Sequence, residues 1–223
     1  MLRKILATVL VAVAAITANA QQKTVLYQAS TVPSNTVVPA ISIDTPASPA
    51  GYSPIGVSLI QPLQYPDESC DIRGLRLTLL GADHHNLYGV ELGGFVNFVR
   101  GDLEGLQLGL AWNQVENNAL GVQFAVIANY AGKHLAGAQL AVGVNIAKGI
   151  VQEPNRGIQL ALVNISGDLA GMQLGVFNHA ANIKGCQIGV VNFAETMTGC
   201  QIGLANIITN GALPFMVLFN CNF

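Results

Sequence analysis

The sequence predicts an all-β fold, a parallel β-solenoid or β-roll built from coils of about 14–16 residues. Three observations support this prediction. A pattern of Gly-x-Gln-apolar-Gly, closed by an Asn, recurs at nearly constant spacing from Gly74 onward. Within each copy the side chains alternate as in a strand, and two Gly per copy disfavour a helix. An apolar residue also recurs in the links between copies, which is typical of a chain that buries a second segment in every coil.

The repeat has a fixed Gln position and a fixed closing Asn. The Gln position is held by Gln107, Gln123, Gln139, Gln159, Gln173, Gln187 and Gln201, and by Arg76 and Glu91 in the first two copies. The closing Asn is Asn97, Asn113, Asn129, Asn145, Asn164, Asn178, Asn192, Asn206 and Asn220. From Gln107 the successive steps along the chain are 16, 16, 20, 14, 14 and 14, and "VQEPNRG" (151–157) interrupts the series. We expect Gln and Asn side chains stacked in register to hydrogen-bond from coil to coil.

The links between copies are polar but not wholly so. Most charges of the repeat region lie in them, and each of five links keeps an apolar residue just before the next Gly: Leu103, Leu135, Leu169, Ile183 and Met197. A hairpin turn needs no buried residue at its centre. We therefore predict that each coil contains a long strand and a short return strand, and that coils stack at about 4.8 Å. The final copy, Leu213 to Asn220, lacks the Gly and the Gln, and we expect it to keep the register.

An antiparallel outer-membrane β-barrel of about ten strands is the alternative fold. The alternating C-terminal residues Phe215, Val217, Phe219, Cys221 and Phe223 resemble the terminal strand of such a barrel. Each copy, however, offers only about eight strand residues, where about 9–11 are usual. The Cys186–Cys200 pair distinguishes the two folds, because parallel stacking places equivalent residues about 5 Å apart and an antiparallel meander about 15–20 Å apart.

The N-terminus is typical of a secretory signal peptide, residues 1–20. A positive start is followed by an apolar stretch and by the small-x-small site Ala18-Asn19-Ala20. Residues 21–50 form a Pro-, Ser- and Thr-rich leader, 51–88 a cap or the first coils, 89–212 the repeat body, and 213–223 a cap or terminal strand. We expect an exported protein, located at the outer membrane, the cell surface or in the periplasm.

Composition and motifs exclude several functions. The chain is 51% hydrophobic and 10% charged, with a net charge of −2, which argues against nucleic-acid binding. No nucleophile elbow or phosphate loop appears, and the Gly residues follow the structural period. Asp83, His84 and His85 are interpreted as a solvated turn. We predict no catalytic, cofactor-binding or metal-binding residues, no cofactor and no enzymatic activity; the partner is unknown, with membrane or envelope association open.

Four cysteines remain: Cys70, Cys186, Cys200 and Cys221. An exported protein can form disulfides, and four cysteines allow three full pairings. Cys186 and Cys200 fill the variable apolar position of two successive repeats. We predict that they are two stacked core residues, with a coil-to-coil disulfide as the alternative.

"SPIGVSLIQPLQYPDESCDIRGLRLTLLGADHHNLYGVELGGFVN", followed by repeated "GxQLGxxN", resembles the leptospiral-type surface-repeat proteins of bacteria. The likeness covers roughly residues 53–223. It implies an exported envelope or surface protein, and it brings no catalytic or binding residues. The 20-residue step and the Ala residues in place of the second Gly, Ala125, Ala141 and Ala161, depart from the family's pattern and question the regularity of the middle coils.

Overall fold

A computed structural model describes residues 51–149 and 153–223. The signal peptide and the leader predicted for residues 1–50 lie outside the described residues. The strands are β1 Tyr52–Ile60, β2 Leu63–Tyr65, β3 Asp71–Thr78, β4 Gly81–His84, β5 Leu87–Leu92, β6 Val96–Val99, β7 Leu103–Gly109, β8 Trp112–Val115, β9 Asn118–Ala125, β10 Ala128–Ala131, β11 His134–Ala141, β12 Val144–Ala147, β13 Asn155–Leu160, β14 Val163–Ser166, β15 Leu169–Leu174, β16 Phe177–Ile188, β17 Val191–Ile208 and β18 Phe215–Asn222. The part of the chain that the structure describes contains no helix long and apolar enough to span a membrane.

The strands form a parallel β-solenoid of about nine turns, so the fold prediction is confirmed. Long strands pair in the order β3, β5, β7, β9, β11, β13, β15 and the second half of β16, and short strands pair from β4 through β14 to the first half of β16. Equivalent residues of successive coils lie side by side, as Cys186 does with Cys200. The antiparallel alternative is therefore wrong.

The division of each coil differs from the prediction. The short strand carries the closing Asn, for example Asn113 in β8, and the apolar link residue begins the long strand, as Leu103 does in β7. Leu103 and Leu135 pack together in the interior of the first coils, and Leu169, Ile183 and Met197 in that of the last. The link residues are buried as expected, but they belong to the long strand. The short strand is instead the segment that carries the closing Asn.

The later coils are shorter than the earlier ones by one residue in each of their two turns. Gln123 and Asn129 are six positions apart, whereas Gln173 and Asn178 are five apart. The turn from the short strand to the next Gly is also one residue shorter in the later coils. Because the extra residues lie in turns, the strands of both kinds of coil stack in one register.

The interior of the solenoid is lined by amides as well as apolar side chains. Gln173 and Asn178 are buried, whereas the neighbours of Gln173 in β15 face outward and are partly exposed. Cys186 and Cys200 occupy this outward position and are half-buried. The prediction that they are core residues is wrong, because the pleat that turns Gln187 and Gln201 inward turns the cysteines outward.

Successive coils lie close together at the first Gly of the repeat. Gly185 has φ +144°, and a Cβ built on it would lie 1.9 Å from the carbonyl oxygen of Gly171. Only Gly can adopt this backbone conformation without a clash. Leu213, which stands one repeat length after Gly199, therefore cannot begin another coil.

The chain instead reverses direction after the last coil. β18 pairs antiparallel with β17, with Gln201 opposite Asn220 and Cys200 opposite Cys221. The prediction that the final copy keeps the parallel register is therefore wrong, and the terminal strand within residues 213–223 is β18, Phe215–Asn222. At the other end β1 pairs parallel with β3 and antiparallel with β2.

Candidate functional site: buried amide columns and two contrasting flanks

A column of Gln side chains runs through the interior of the solenoid. From Gln123 to Gln201, each Nε2 donates to Oε1 of the Gln in the preceding coil over 2.7–3.0 Å. The second N–H of each donates to a backbone carbonyl of the short strand in its own coil, over 3.0–3.5 Å. The Gln side chain thus joins neighbouring coils and also joins the two strands of one coil.

A column of Asn side chains runs beside it in the opposite sense. From Asn97 to Asn192, each Nδ2 donates to Oδ1 of the Asn in the following coil over 2.8–3.1 Å. The Gln amides point their N–H groups toward the N-terminal end and the Asn amides toward the C-terminal end. Aligned amides polarise one another, and opposed columns keep their summed dipoles from adding.

The 20-residue step leaves both columns intact. Gln159 donates to Gln139 over 2.9 Å, and Asn145 donates to Asn164 over 3.1 Å. Asn155 takes the place held by Leu169 in the next coil. Its Oδ1 accepts from the Leu135 N–H, and its Nδ2 donates to the Ala147 carbonyl and to Ser166 Oγ. The middle coils are therefore regular in the amide columns, and Asn155 satisfies backbone groups near the insertion.

The Gln column ends on a buried ion pair at its N-terminal side. Gln107 donates to Glu91 Oε2 over 3.1 Å, and Glu91 Oε1 accepts from Thr78 and lies 3.6 Å from Arg76 Nε. Both charged side chains are fully buried. Burial raises the pKa of Glu91 to about 7, against the opposing effect of Arg76 and the two hydrogen bonds. Burial also lowers the pKa of Arg76 from its usual value.

His84 is buried inside the first coil, so its interpretation as part of a solvated turn is wrong. It pairs with Val99 in the inward column that later coils fill with Ala131 and Ala147. Burial lowers its pKa well below the usual value, and Arg76 lowers it further. Residues 51–149 and 153–223 contain no group of three or more His, Cys, Asp and Glu side chains that could bind a metal ion.

One side of the solenoid is apolar along its whole length. We call it the apolar flank: the outward residues around the turn between the long strand and the short strand. Leu110, Val142 and Leu204 at this turn are 59%, 60% and 62% exposed. The flank also includes the exposed side chains Leu79, Leu92, Phe95, Phe124, Val126, Ile127, Leu160, Leu162, Val176, Ile188, Val190 and Ile202.

The opposite side carries the charges. We call it the charged flank: the turns from each short strand to the next long strand and the residues beside them. It includes Arg100, Asp102, Glu104, Glu116, Lys133, Lys148, Asp168, Lys184 and Glu195. Between the first Gly and the closing Asn of the repeats, only Arg76 and Glu91 are charged, and both are buried. The surface of the solenoid is therefore divided lengthwise into an uncharged side and a charged side.

The sequence pattern predicts apolar residues in the core, whereas the structure turns the Gln and Asn amides inward. A signal for this inward orientation was present within the chain. From Gln107 to Gln201 the Gln position keeps one residue type, as the closing Asn position does, whereas the residues beside Gln vary among Leu, Val, Phe, Ala, Ile, Met and Cys. In a solenoid the interior is the most constant environment, so the invariant amide is the buried one.

No family model, no curated protein and no solved structure matches the chain. Its candidate sites are the ones that its own geometry defines: the amide columns with their terminal ion pair, and the two flanks. The columns have a structural role because their amides are engaged with one another. In the described part of the chain, the apolar flank is exposed.

Proposed function

We propose that the protein is an exported, non-enzymatic scaffold of the bacterial cell envelope that lies against a lipid surface through its apolar flank. The absence of exposed charge from that flank, in coil after coil of the described residues, is the observation on which the proposal rests. Contiguous exposed apolar patches beyond a few hundred Å² mark interaction surfaces, because their burial is worth about 25 cal/mol per Å².

The shape and chemistry of the flank favour lipid over a folded protein partner. The exposed side chains are mostly Leu, Val, Ile and Phe, and they stand on turns along a stack of about nine coils, which is about 43 Å long at about 4.8 Å per coil. Acyl chains offer no hydrogen-bond donors or acceptors, and this flank presents few polar side chains that would need them. The charged flank, on the other side of each coil, then faces water.

The interior of the molecule supports a scaffold. From the second coil on, the buried Gln and Asn side chains form two columns that connect one coil to the next, and a repeat built this way presents one surface many times over. The predicted signal peptide and the resemblance to leptospiral-type surface-repeat proteins agree with an envelope location. Neither the motifs nor the described side chains assemble a constellation of nucleophile and base.

Export is tested by expressing the full-length chain in a Gram-negative host and separating cytoplasm, periplasm and membranes. We expect the product in the envelope fractions, with Gln21 as its N-terminal residue, since Ala18-Asn19-Ala20 is the cleavage signal. An uncleaved chain confined to the cytoplasm would contradict the proposed location.

Lipid association is tested by co-flotation of the purified protein with uncharged phosphatidylcholine vesicles. We expect binding that is insensitive to salt, because no charge takes part. Val142→Glu with Leu162→Glu should weaken it by at least about tenfold, since charged side chains are costly in an apolar phase. Lys133→Glu with Lys148→Glu, on the charged flank, is the matched control and should bind as the parent does.

Two outcomes would refute the lipid partner. One is a parent protein that remains at the bottom of the flotation gradient. The other is a dimer in sedimentation experiments that Val142→Glu with Leu162→Glu dissociates while vesicles bind neither form. The second result would assign the apolar flank to a second copy of the chain.

A further inference from the structure

Three cysteines lie side by side on the outer face of the last strands. Cys186 and Cys200 are register partners in the parallel pair of β16 and β17, and Cys200 and Cys221 are register partners in the antiparallel pair of β17 and β18. Cys200 is therefore between the other two. All three are half-buried, and Cys70 belongs to the other end of the molecule, where its carbonyl accepts from the His85 N–H.

We propose that Cys200 and Cys221 form a disulfide that fastens the terminal strand β18 to the last coil, with Cys186 remaining a free thiol beside it. The Sγ atoms of Cys200 and Cys221 are in direct contact at 2.8 Å. Directly opposed residues of an antiparallel pair have Cα atoms about 4.5–5.5 Å apart, within the range that a disulfide spans. This pairing differs from the Cys186–Cys200 disulfide that the sequence alone suggested.

The bond forms by thiol–disulfide exchange with a disulfide donor such as oxidised glutathione. The Cys200 thiolate attacks one sulfur of the donor, so a mixed disulfide forms and one glutathione thiolate leaves. The Cys221 thiolate then attacks the Cys200 sulfur, the Cys200–Cys221 bond forms, and the second glutathione leaves. Two protein thiols have lost two protons and two electrons, and one oxidised glutathione has become two reduced glutathiones.

Oxidation of the reduced Cys200–Cys221 pair should be slow and should depend on pH. Burial, together with the hydrogen bond to the Cys200 sulfur, raises the pKa of Cys221 to about 11. Burial raises the pKa of Cys186 as well. Because the thiolate is the attacking species, the rate of disulfide formation should increase as the pH rises from 7 to 9.

The disulfide has a mechanical role at the end of the solenoid. β18 covers the long-strand edge of β17, which would otherwise expose unpaired backbone groups. No charged residue occurs from Thr196 to Phe223, so no charge protects this end from pairing with another chain. Cross-linking Cys200 to Cys221 closes a loop of about 20 residues and keeps β18 in place.

The pairing can be read directly by mass spectrometry. The purified full-length protein is equilibrated with oxidised glutathione, alkylated, and cleaved with trypsin and then with cyanogen bromide in acid. Lys184 is the last basic residue, and Met197 and Met216 separate the three cysteines into fragments 185–197, 198–216 and 217–223. We expect 198–216 joined to 217–223, with 185–197 alkylated. A bond between 185–197 and 198–216, or alkylation of all three fragments, would overturn the proposal.

Variants test the role of the bond. In the oxidised parent, chymotrypsin should cleave the peptide bonds of β18 at least about tenfold more slowly than in the reduced parent, as measured after reduction of the digest, since β18 opens less often. Cys221→Ser should abolish this difference, whereas Cys186→Ser and Cys70→Ser should keep it. An equal rate of cleavage in oxidised and reduced parent would show that the bond does not hold the strand. Because the mapping uses the unaltered protein, it remains decisive even if Cys221→Ser folds poorly.

Discussion

Gln107 Nε2 donates a hydrogen bond to Glu91 Oε2 over 3.1 Å, and the Gln column therefore ends on a buried carboxylate. Burial raises the pKa of Glu91 from 4.5 to about 7. Between these values the folded protein binds a proton that the unfolded chain releases. The contribution of Glu91 to stability is thus fully present below about pH 4.5 and is lost as the pH rises through about 7.

We expect this loss to be about 3 kcal/mol between pH 5 and pH 8, since each unit of pKa shift corresponds to about 1.4 kcal/mol. Urea unfolding at a series of pH values measures it. The double variant Arg76→Gln with Glu91→Gln keeps buried His84, so the contribution of Glu91 is the difference between the two pH profiles: from pH 5 to pH 8 the parent should lose stability relative to the double variant. A parent protein that gains stability from pH 5 to pH 8 while the double variant does not would contradict the assignment.

Removing one partner of the Arg76–Glu91 pair should destabilise the protein far more than replacing both. Glu91→Leu alone leaves the buried Arg76 guanidinium without its acceptor at this position, and we expect a cost of about 3–5 kcal/mol at neutral pH. Arg76→Gln with Glu91→Gln extends the Gln column by two coils and should be close to the parent in stability. The difference is measured by urea unfolding, and equal destabilisation of the single and double variants would argue against this account.

A substitution in the middle of the Gln column should destabilise the protein more than a substitution at its end. Gln173→Leu leaves both Gln159 Oε1 and Gln187 Nε2 without their partner in the column. Within the column, Gln201→Leu removes only the donor to Gln187 Oε1, because Gln201 is the last Gln. We therefore expect Gln173→Leu to cost about 1–3 kcal/mol more in the free energy of unfolding. A larger loss for Gln201→Leu would mean that the column does not act through its amide bonds.

The two Gly positions of one repeat should respond differently to Ala. Gly185→Ala places a Cβ 1.9 Å from the Gly171 carbonyl oxygen at φ +144°, and we expect a loss of at least about 3 kcal/mol. Gly189→Ala is the comparison: its Cβ would lie 2.3 Å from the Gly175 carbonyl oxygen, but its φ lies outside the left-handed region and Ala161 stands at the same position of an earlier coil, so we expect a smaller loss. Thermal unfolding of the two variants compares them, and similar melting temperatures would contradict the prediction.

Replacing Asn155 by the Leu that the next coil has at this position should destabilise the protein. Asn155→Leu matches Leu169 of the next coil, yet it deprives the Leu135 N–H of its acceptor and removes the donor to the Ala147 carbonyl. We expect the variant to lose about 2–4 kcal/mol, as buried backbone groups are left unpaired. Ser166→Ala serves as the control and should cost less, because Ala already fills its position in β12 and β10.

The solenoid was predictable because each repeat places the same residue types at equivalent positions. Two Gly, one Gln and one Asn at a nearly constant step require coils that stack in parallel, and Cys186 beside Cys200 is a direct consequence. The direction of the side chains was not predictable in the same way. Alternation shows that Met172 and Gln173 face opposite sides, but it does not say which side is the interior.

The sequence by itself determined the coil, its period and the identity of the stacked residues, since these follow from local alternation and from the internal repeat. Only the tertiary structure decided that the amides are buried and that the apolar residues beside them in the strand are exposed. The reason is that a lone Gln would be costly in a core, whereas a column of Gln side chains satisfies each amide through the coil before it and the coil after it. The reversal of β18 was also decided in three dimensions, because Leu213 is excluded only by the carbonyl groups of the stacked coil beneath it.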